Sequence, residues 1–515
     1  MKQTRYALIS VSKKDGVVEF AKFLNAYGIK IISTGGTFNL LKKEGLDVIQ
    51  VKDLTHSEEI LDGRVKTLHP IIHGGLLADL DVEEHVKTIV KNNISPIEFV
   101  VINLYPFEDV ITNQNCKYED AVENIDIGGP SMLRSGAKNH KHVTVIFDPN
   151  DYEIVKKEII EYGKTTISTR KYLANKVFAY TSYYDAKIAQ YFSRINNISY
   201  LDNFAIPMRK VQSLRYGENP HQDAAVYEDN AFNLFTILKA KQIHGKELSY
   251  NNINDANAAI NIVRDFSSKK CYTALKHTNP CGVGIDDDEY KAWRKCYEGD
   301  KISIFGGIIA TNTIITPKIA NELNTIFLEI IIAQGFTKEA EEILKTKKNL
   351  RLLILDFEIK CDQPFTFKSI NGGVLYQDSD FPDWKDDFKN WHCVTKRENA
   401  SALNDLHFAW KICKHLKSNA ICVAQNGQLL GIGVGQTNRV QAVKLALESN
   451  KEILKNAVLA SDAFFPMPDS IELISQYPIV AIAQTGGSIK DKDVIEKCNQ
   501  LDLVMYLTGK RHFLH

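Results

Sequence analysis

The chain has 515 residues, more than one hydrophobic core usually organises, so its length predicts two to four domains. Hydrophobic residues make up 44% and charged residues 24%, the ordinary mixture of a globular protein. Lys plus Arg and Asp plus Glu both number 63. A net charge of zero excludes a general electrostatic attraction for nucleic acid or an acidic membrane, so local groups must bind any anionic ligand.

Cysteine usage and hydropathy bear on the compartment. The cysteines show no C-x-x-C spacing, and most lie in apolar runs, which is typical of buried thiols in a reducing compartment. The N-terminal residues lack the apolar segment of a secretory signal, and no apolar stretch is long enough to span a bilayer. The sequence therefore predicts a cytoplasmic protein without a membrane partner. The cysteines are at positions 116, 271, 281, 296, 361, 393, 413, 422 and 498.

The first two hundred residues alternate between strand-like and helix-like segments. A short apolar strand at Tyr6 to Ser10 is followed by Ser12 and Asp15, whose spacing predicts a capping box for a helix that Gly28 ends. Further strands are predicted at Ile29 to Ser33, Leu46 to Val51, Phe99 to Leu104 and His142 to Phe147. This alternation predicts an α/β fold with a parallel sheet.

Polar clusters follow three of these strands, at residues 10–14, 33–37 and 103–107. Ligands of open parallel sheets bind at the carboxyl ends of the strands, where such clusters would meet. The Gly35-Gly36 pair could cradle a phosphate with backbone N–H groups at a helix start. A tight strand-to-helix turn is the commoner role of a lone glycine pair. Flanking hydroxyls and a second glycine pair at Gly128-Gly129 favour the anion site.

Four motifs in this half resemble one enzyme family. They are Arg64-Val-Lys-Thr-Leu-His-Pro70, Asn103-Leu-Tyr-Pro-Phe107, Glu123-Asn-Ile-Asp-Ile-Gly-Gly129 and Ala137-Lys-Asn-His140. Together they resemble the cyclohydrolase half of the bifunctional purine biosynthesis enzymes. The resemblance implies a methylglyoxal-synthase-like domain over residues 1–199. It also implies closure of formylated aminoimidazole carboxamide ribotide (FAICAR) to inosine monophosphate (IMP), with loss of water and without a metal or cofactor.

The same resemblance assigns site residues. The groups around the reacting atoms would be Lys66, Tyr105, Asp126 and Lys138. The ribose phosphate would be held by Ser12, Lys14, Ser33, Gly35, Gly36, Thr37, Arg64 and Thr67. These residue types suit the reaction, because attack of the carboxamide nitrogen on the formyl carbon creates an oxyanion that needs cationic or N–H donors. A carboxylate with a lysine or phenol can then move protons. The sequence does not assign the acid and the base among the four reacting groups.

The second half begins after a linker predicted at residues 196–207, with a domain boundary near residue 200. A strand at Tyr272 to Leu275 leads into Lys276-His277-Thr-Asn-Pro-Cys-Gly282. An ammonium beside an imidazole favours its neutral, base-competent form. A Lys-His pair alone more often lies on the surface, but the Asn-Pro-Cys-Gly context makes this one specific. Asn426-Gly427 predicts the turn of a β-hairpin.

Five segments of the second half resemble the transformylase part of the same family, so the likeness covers nearly the whole chain. They are Leu214 to Gln222, Lys276 to Gly282, Ile302 to Ala310, Gly431 to Arg439 and Ser461 to Pro466. The resemblance implies formyl transfer from 10-formyltetrahydrofolate to the 5-amino group of aminoimidazole carboxamide ribotide (AICAR). It also implies two cytidine-deaminase-like lobes, at about 200–365 and 366–515, and sites formed across a homodimer. The partners would be the small molecules AICAR, FAICAR and folate.

The AICAR amine is a poor nucleophile, so a base must take its proton during attack, and His277 is the candidate. Lys276 is the candidate to support the oxyanion on the formyl carbon. By resemblance, the ribotide or folate pocket would be formed by Arg215, Tyr216, Asn252, Gly306, Gly307, Asn419, Arg439 and Phe465. The chain departs from its relatives' pattern at Pro468, next to Asp469, and at Thr485.

The sequence lacks the motifs that other functions would need. Gln436 stands where a dinucleotide-binding fingerprint needs its third glycine, and no P-loop occurs, so no nucleotide cofactor is expected. A zinc nucleobase deaminase would need P-C-x-x-C, but Gly284 replaces the second cysteine, and the H-x-E at His56 lies in the first half. A further alternative is a non-catalytic, effector-binding first half, which would need phosphate-binding residues but not Lys66, Asp126 and Lys138 together.

Overall fold

The computed structural model describes residues 4–113, 115–229, 235–359 and 365–515. The chain forms two compact units, of which the first extends to Arg209 and also includes Asp229. The second begins at Lys210 and extends to His515. The boundary predicted near residue 200 falls within residues 196–208, a segment without helix or strand.

The first unit contains a five-stranded parallel sheet with the strand order β3-β2-β1-β4-β5. Its strands are β1 (Arg5–Val11), β2 (Ile29–Ser33), β3 (Val48–Gln50), β4 (Phe99–Asn103) and β5 (Thr144–Ile146). They coincide with the five strands that hydrophobic runs predicted, so the α/β class of this unit is confirmed. Because the strands are parallel, their carboxyl ends lie along one edge of the sheet.

Helices cover this sheet and bury their apolar stripes against it. They are α1 (Val17–Ala26), α2 (Gly35–Lys43), α3 (Val51–Thr55), α4 (Pro70–Leu77), α5 (Glu83–Lys91), α6 (Phe107–Ile111), α7 (Tyr118–Glu123), α8 (Gly128–Lys138), α9 (Tyr152–Tyr162) and α10 (Ile167–Ile195). On α1, for example, Val17, Phe20 and Leu24 are fully buried at the spacing of one helix face.

The capping box predicted for α1 was wrong. The residue before the helix is Gly16, which has a left-handed φ of 63° and makes no side-chain cap hydrogen bond. The backbone N–H of Ser12 instead donates to the Oδ1 atom of Asn103, at 2.5 Å. The chain therefore runs over the end of the neighbouring strand β4 before the helix begins, and this path brings residues 12–14 to the sheet edge.

The strands beyond the first sheet form one twelve-stranded mixed sheet and three two-stranded sheets. They are β6 (Arg209–Leu214), β7 (Ala224–Glu228), β8 (Lys241–His244), β9 (Lys270–Lys276), β10 (Asn279–Asp286), β11 (Ile308–Thr311), β12 (Ile314–Ile315), β13 (Ile330–Ala333), β14 (Gly335–Phe336), β15 (Arg351–Ile354), β16 (Phe365–Ile370), β17 (Gly373–Asp378), β18 (His392–Cys393), β19 (Ile421–Gln425), β20 (Gln428–Gly433), β21 (Ala457–Ser461), β22 (Ile479–Gln484) and β23 (Val504–Leu507).

The helices of the second unit lie between these strands. They are α11 (Tyr250–Arg264), α12 (Glu289–Gly299), α13 (Pro317–Thr325), α14 (Lys338–Lys345), α15 (Trp384–Lys389), α16 (Leu403–Cys413), α17 (Arg439–Glu448), α18 (Asp469–Ile474) and α19 (Asp491–Gln500). The apolar strands and helices build three buried clusters on the two faces of the large sheet.

The large sheet is built from two halves of the same design. Its order is β18-β23-β22-β21-β19-β20-β10-β9-β11-β13-β15-β8. Each half has a helix (α11 or α16), then a hairpin (β9–β10 or β19–β20), then a second helix and three parallel strands. The halves join where β10 pairs antiparallel with β20, at Gly284 opposite Gln428. The two α/β lobes predicted from sequence thus share one sheet.

Each half also has a pair of glycines where a helix packs on the sheet. A Cβ atom at Gly282 or Gly284 of β10 would overlap backbone carbonyls of α12, at Cys296 and Ala292. In the other half, a Cβ atom at either Gly431 or Gly433 of β20 would overlap carbonyls of α17. The absence of side chains therefore allows the same close strand–helix contact in both halves.

Two expectations from composition concern thiols and membranes. Eight cysteines are described, and each is a free thiol, whereas Cys361 lies outside the described residues. Within the four described ranges, no helix combines the length and the apolar character needed to cross a membrane.

Candidate functional site

The first unit has a cavity of about 630 Å³ at the carboxyl ends of its strands. Most of the residues predicted for cyclisation line it, namely Ser12, Lys14, Gly35, Gly36, Thr37, Arg64, Lys66, Thr67, Tyr105 and Asp126. These residues are distant in the chain. They meet in one cavity because β1, β2 and β4 are neighbours in the sheet and end at the same edge. The size is that of a small-molecule site.

Hydrogen bonds between loops hold one wall of this cavity. Asn103 at the end of β4 accepts the N–H groups of Ser12 and Lys13, and its Nδ2 atom donates to the Lys13 carbonyl at 2.8 Å. The Lys14 ammonium donates to Val11 O and, at 2.8 Å, to the Thr37 hydroxyl. The β1–α1 loop is therefore fixed to the end of β4 and to the first turn of α2, with the Lys14 ammonium beside the start of α2.

Two helices begin at this cavity. Helix α2 starts at Gly35, which has a left-handed φ of 48°, and α8 starts at Gly128. A Cβ atom at Gly128 would lie 2.6 Å from the Thr67 hydroxyl oxygen, so a side chain there would displace that hydroxyl. Free N–H groups at a helix start attract anions. Arg64 adds a cation, which pairs with Glu123 at 2.5 Å on the cavity wall.

Lys66, Tyr105 and Asp126 lie next to one another in the cavity. The Lys66 ammonium is 3.5 Å from the Tyr105 hydroxyl, and the Tyr105 N–H donates to Asp126 at 3.4 Å. The Gly129 N–H donates to the other Asp126 oxygen at 2.8 Å. Burial raises the pKa of Asp126, against the lowering effects of these N–H groups and of the Lys66 charge. A carboxyl with a raised pKa can exchange protons nearer neutral pH.

Two residues predicted for this site do not line the cavity. Ser33 is fully buried, and its hydroxyl donates to the carbonyl of Ile9 at 2.6 Å, so it fixes strand β2 to β1. Lys138 is exposed at the last position of α8, ten residues from the helix start that faces the cavity. At about 1.5 Å per residue this is roughly 15 Å along the helix. The predicted role of Lys138 in cyclisation has no support from the cavity of one chain.

The second unit has a cavity of about 960 Å³ beside the β9–β10 hairpin. Lys276, His277 and Asn279 line one side, and β20 with residues 449–453 lines the other. The Lys276 ammonium donates to the Phe305 carbonyl at 3.0 Å, and a Cβ atom at Gly306 would lie 3.9 Å from the Lys276 Nζ atom. Because the cavity is lined by residues of the β9–β10 hairpin and of β20, it lies where the two halves of the large sheet join.

His277 and Thr278 form the two-residue turn of this hairpin. Lys276 pairs with Asn279 across the turn, and the two turn residues have left-handed φ values of 53° and 62°. Left-handed conformation costs a residue with a Cβ atom about 1–2 kcal/mol, and it is least favourable for a β-branched residue such as Thr278. The sequence did not predict this turn, because Asn, Asp and Gly are the usual residues of such hairpins.

None of the other eight residues predicted for formyl transfer lines this cavity. The Asn252 side chain is part of a capping box with Ser249 at the start of α11. Phe465 is fully buried in an apolar cluster. Arg439 is buried and forms a salt bridge with Asp462. The residues predicted for this site that do not line the cavity are Arg215, Tyr216, Asn252, Gly306, Gly307, Asn419, Arg439 and Phe465. Their ligand-binding roles stay predictions.

Sequence reasoning missed acidic residues at both cavities. Glu123 was quoted only as part of a motif, although its carboxylate pairs with Arg64. Asp255 on α11 was not singled out, although it accepts the backbone N–H of Thr278 at 2.8 Å. Asp300 lines the second cavity. A lone aspartate inside a polar helix carries no sequence signal, so only the fold shows these contacts.

The surroundings of Cys281 do not fit a zinc deaminase. Burial raises the pKa of its thiol to about 12, and its Sγ atom lies 3.4 Å from the Ala274 carbonyl oxygen, so it is a protonated, weakly hydrogen-bonded thiol. In the described residues, a grouping of three potential metal-ligating side chains occurs only at Asp79, Asp81 and His142, in the first unit.

Comparisons with known proteins agree with this picture. The model of the MGS-like domain matches residues 16–131, and that of the AICARFT/IMPCHase bienzyme matches residues 136–449. A bifunctional purine biosynthesis protein PurH from Anoxybacillus flavithermus is 51% identical over 513 residues, covering 99% of this chain and all of the relative. The PurH proteins of a Thermoanaerobacter species and of Bacillus subtilis are 52% and 48% identical, with 99% of each chain covered. The chain therefore belongs to the AICARFT/IMPCHase bienzyme family and is a bifunctional enzyme of purine biosynthesis, with AICAR formyltransferase and IMP cyclohydrolase activities.

Proposed function

We propose that the two activities use separate sites, with cyclisation of FAICAR in the cavity of the first unit and formylation of AICAR in the cavity of the second. The observation that carries the proposal is the contact of Lys66, Tyr105 and Asp126 inside one cavity. A site that only sensed an anionic ligand would need cations and helix starts, but not a half-buried carboxyl of raised pKa beside a lysine and a phenol.

In the first cavity, the ribotide phosphate binds at the start of α2. The free N–H groups of Gly35, Gly36 and Thr37 are hydrogen-bond donors for the negatively charged phosphate, and Lys14 and Arg64 provide the cations. This orientation places the base of the ribotide toward the start of α8 and the Asp126 carboxylate. Because both helix starts are rigid parts of the fold, the substrate is held without reorganisation of the protein.

For ring closure, we assign the base to Asp126 and the support of the oxyanion to Lys66. The carboxamide nitrogen attacks the formyl carbon, Asp126 takes the proton from that nitrogen, and the formyl oxygen becomes an oxyanion beside the Lys66 ammonium. The Tyr105 hydroxyl is 3.5 Å from the Lys66 Nζ atom and can relay the proton that lets water leave. Water leaves with this proton and with the proton of the former formamide nitrogen, and the C=N bond that forms gives IMP.

In the second cavity, His277 is the base and Lys276 supports the oxyanion. The 5-amino nitrogen of AICAR attacks the formyl carbon of 10-formyltetrahydrofolate, and His277 accepts the amine proton. The Lys276 ammonium stabilises the oxyanion. The protonated His277 then gives this proton to N10 as the bond between the formyl carbon and N10 breaks, which releases tetrahydrofolate and FAICAR. These steps need the folate as co-substrate and use neither a metal nor a nucleotide cofactor.

We also propose that the second site is completed in a homodimer. Residues such as Arg215 and Asn419, expected to bind the ribotide or folate, do not line the cavity of one chain. A second copy could supply the missing walls. Sedimentation of the purified chain should show a dimer, and dilution below the dimer dissociation constant should reduce formyl transfer but not cyclisation. A monomer with full transferase activity would contradict this.

The experiment that tests the overall function is a coupled assay. The purified chain is incubated with AICAR and 10-formyltetrahydrofolate, and the products are separated to measure FAICAR and IMP. Supplied FAICAR, without folate, tests cyclisation alone. Formation of IMP from both starting points supports two sites in one chain. Accumulation of FAICAR that is never closed would contradict the assignment of the first cavity.

A further inference from the structure

The two halves of the large sheet contain equivalent hairpins with two-residue turns. His277-Thr278 connects β9 to β10, with Lys276 opposite Asn279. Asn426-Gly427 connects β19 to β20, with Gln425 opposite Gln428. All four turn residues have left-handed φ values, between 53° and 66°. The two hairpins therefore have the same turn geometry, although only the first contributes turn residues to the second-unit cavity.

The residues of the two turns differ in how well they suit this geometry. Asn-Gly is the preferred pair for a turn in which both residues are left-handed. His-Thr is not, since both residues carry a Cβ atom and Thr278 is β-branched. The surrounding structure must therefore hold the first turn in a conformation that its own residues disfavour.

An aspartate on the preceding helix holds each turn. In the first half, Asp255 of α11 accepts the N–H of Thr278 at 2.8 Å. Burial raises the pKa of the Asp255 carboxyl, and the N–H of Thr278 and the nearby N–H of His277 act to lower it. In the second half, Asp405 of α16 accepts the N–H groups of Asn426 and Gly427, each at 2.8 Å. Charged acceptors make the stronger backbone hydrogen bonds, so one carboxylate holds the backbone of each turn.

We propose that Asp255 is a positioning residue for formyl transfer, because it holds the backbone of the His277-Thr278 turn and so aims the His277 imidazole into the cavity. This rests on the proposed role of His277 as the base. Asp255 acts through the backbone and does not touch the reacting atoms. Asp405 makes the equivalent contacts at a turn that carries no catalytic side chain and whose residues already favour the conformation, so it provides a matched control.

The test compares Asp255→Ala with Asp405→Ala and with His277→Ala in the full-length protein, with kcat and KM for AICAR measured separately. A misplacement of about 1 Å can cost roughly 10²-fold in rate, so Asp255→Ala should lower the formyl-transfer kcat by about 10- to 100-fold. The KM for AICAR should change less, because Asp255 holds the turn and does not itself contact AICAR. Asp405→Ala should lower kcat by less than about 3-fold, a small change on the scale of catalytic losses. Far-UV circular dichroism and thermal melting, measured on every variant, report whether the second unit is folded, and cyclisation of FAICAR reports that the first unit is intact.

A second change separates positioning from simple destabilisation. Glycine adopts left-handed backbone freely, so Thr278→Gly in the Asp255→Ala background should restore a large part of kcat. Asp255→Asn keeps one acceptor oxygen and should give an intermediate loss of formyl-transfer kcat. It replaces Asp255→Ala in the test if the alanine variant does not fold. Equal kcat in the Asp255 and Asp405 variants, with His277→Ala inactive, would overturn the role of Asp255. Full transfer activity in His277→Ala would instead overturn the proposed base.

Discussion

The cavities of the two units place their reactive groups in different ways. In the first unit, Lys66, Tyr105 and Asp126 come from three separate loops and contact one another across the cavity. In the second, Lys276 and His277 are adjacent in the chain, at a single hairpin turn. A substitution in one of the three loops alters one of three groups, whereas a change in the hairpin turn can displace both reactive groups together. The two sites should therefore respond differently to single substitutions.

The largest effect is expected for His277→Ala. Loss of a general base typically costs about 10²- to 10⁴-fold, so formyl transfer should fall by this amount while cyclisation of supplied FAICAR remains. Both rates can be followed on the same protein by separating FAICAR and IMP. Asn426→Ala, at the equivalent turn of the other half, serves as the control. Formylation of AICAR at near the wild-type rate would show that His277 is not the base.

A smaller loss, on the order of 10²-fold, is expected in cyclisation for Asp126→Asn. The wild-type rate should also depend on pH. A base must be ionised, and burial raises the pKa of Asp126, so the rate should fall as pH decreases through this raised pKa. The fall should begin at a higher pH than for an ordinary aspartate. The asparagine variant should lack this acidic limb; a rate that instead falls with rising pH would make Asp126 the acid.

Gly129→Ala should reduce cyclisation by about 10-fold, less than the roughly 10²-fold cost of a misplacement of about 1 Å. An added Cβ atom would lie 2.5 Å from an Asp126 oxygen and 2.8 Å from a Leu104 methyl group, so the carboxylate must move. Formyl transfer by the same preparation is the internal control, and it should be unchanged. If cyclisation is also unchanged, the position of the Asp126 carboxylate does not limit the rate.

The smallest effect is expected when the units are separated. A fragment of residues 1–209 contains the whole compact first unit apart from the segment at Asp229, and all residues of its cavity. It should close FAICAR at nearly the full-length rate, whereas a fragment of residues 210–515 should not close it at all. A folded but inactive first fragment would show that cyclisation needs the second unit.

Local patterns predicted much of the fold. The five strands of the parallel sheet carry continuous apolar runs, and Asn426-Gly427 forms the predicted hairpin turn. The capping box at Ser12 was wrong, because Asn103, far away in sequence, binds the Ser12 N–H. The joining of two halves through β10 and β20 could not be predicted, since this pairing depends on contacts between residues distant in the chain.

The candidate site was predictable in the first unit and less so in the second. The carboxyl ends of parallel strands lie at one edge of the sheet. Lys14, Thr37 and Tyr105 therefore line one cavity, and this does not depend on the exact conformation of their loops. Lys138 differs because its place at the far end of α8 depends on helix length rather than on strand order. The His277-Thr278 turn escaped prediction because its residues disfavour the conformation that Asp255 imposes.

The paired glycines of β10 and β20 also bear on the history of the second unit. Gly282 and Gly284 in one half, and Gly431 and Gly433 in the other, lie where a helix backbone touches a strand backbone. A side chain at any of these four positions would force the strand and the helix apart, whereas the two turns of this chain differ at both residues. An ancestral half that was duplicated would therefore leave its clearest trace in this Gly-x-Gly spacing, and a search for the duplication should begin there.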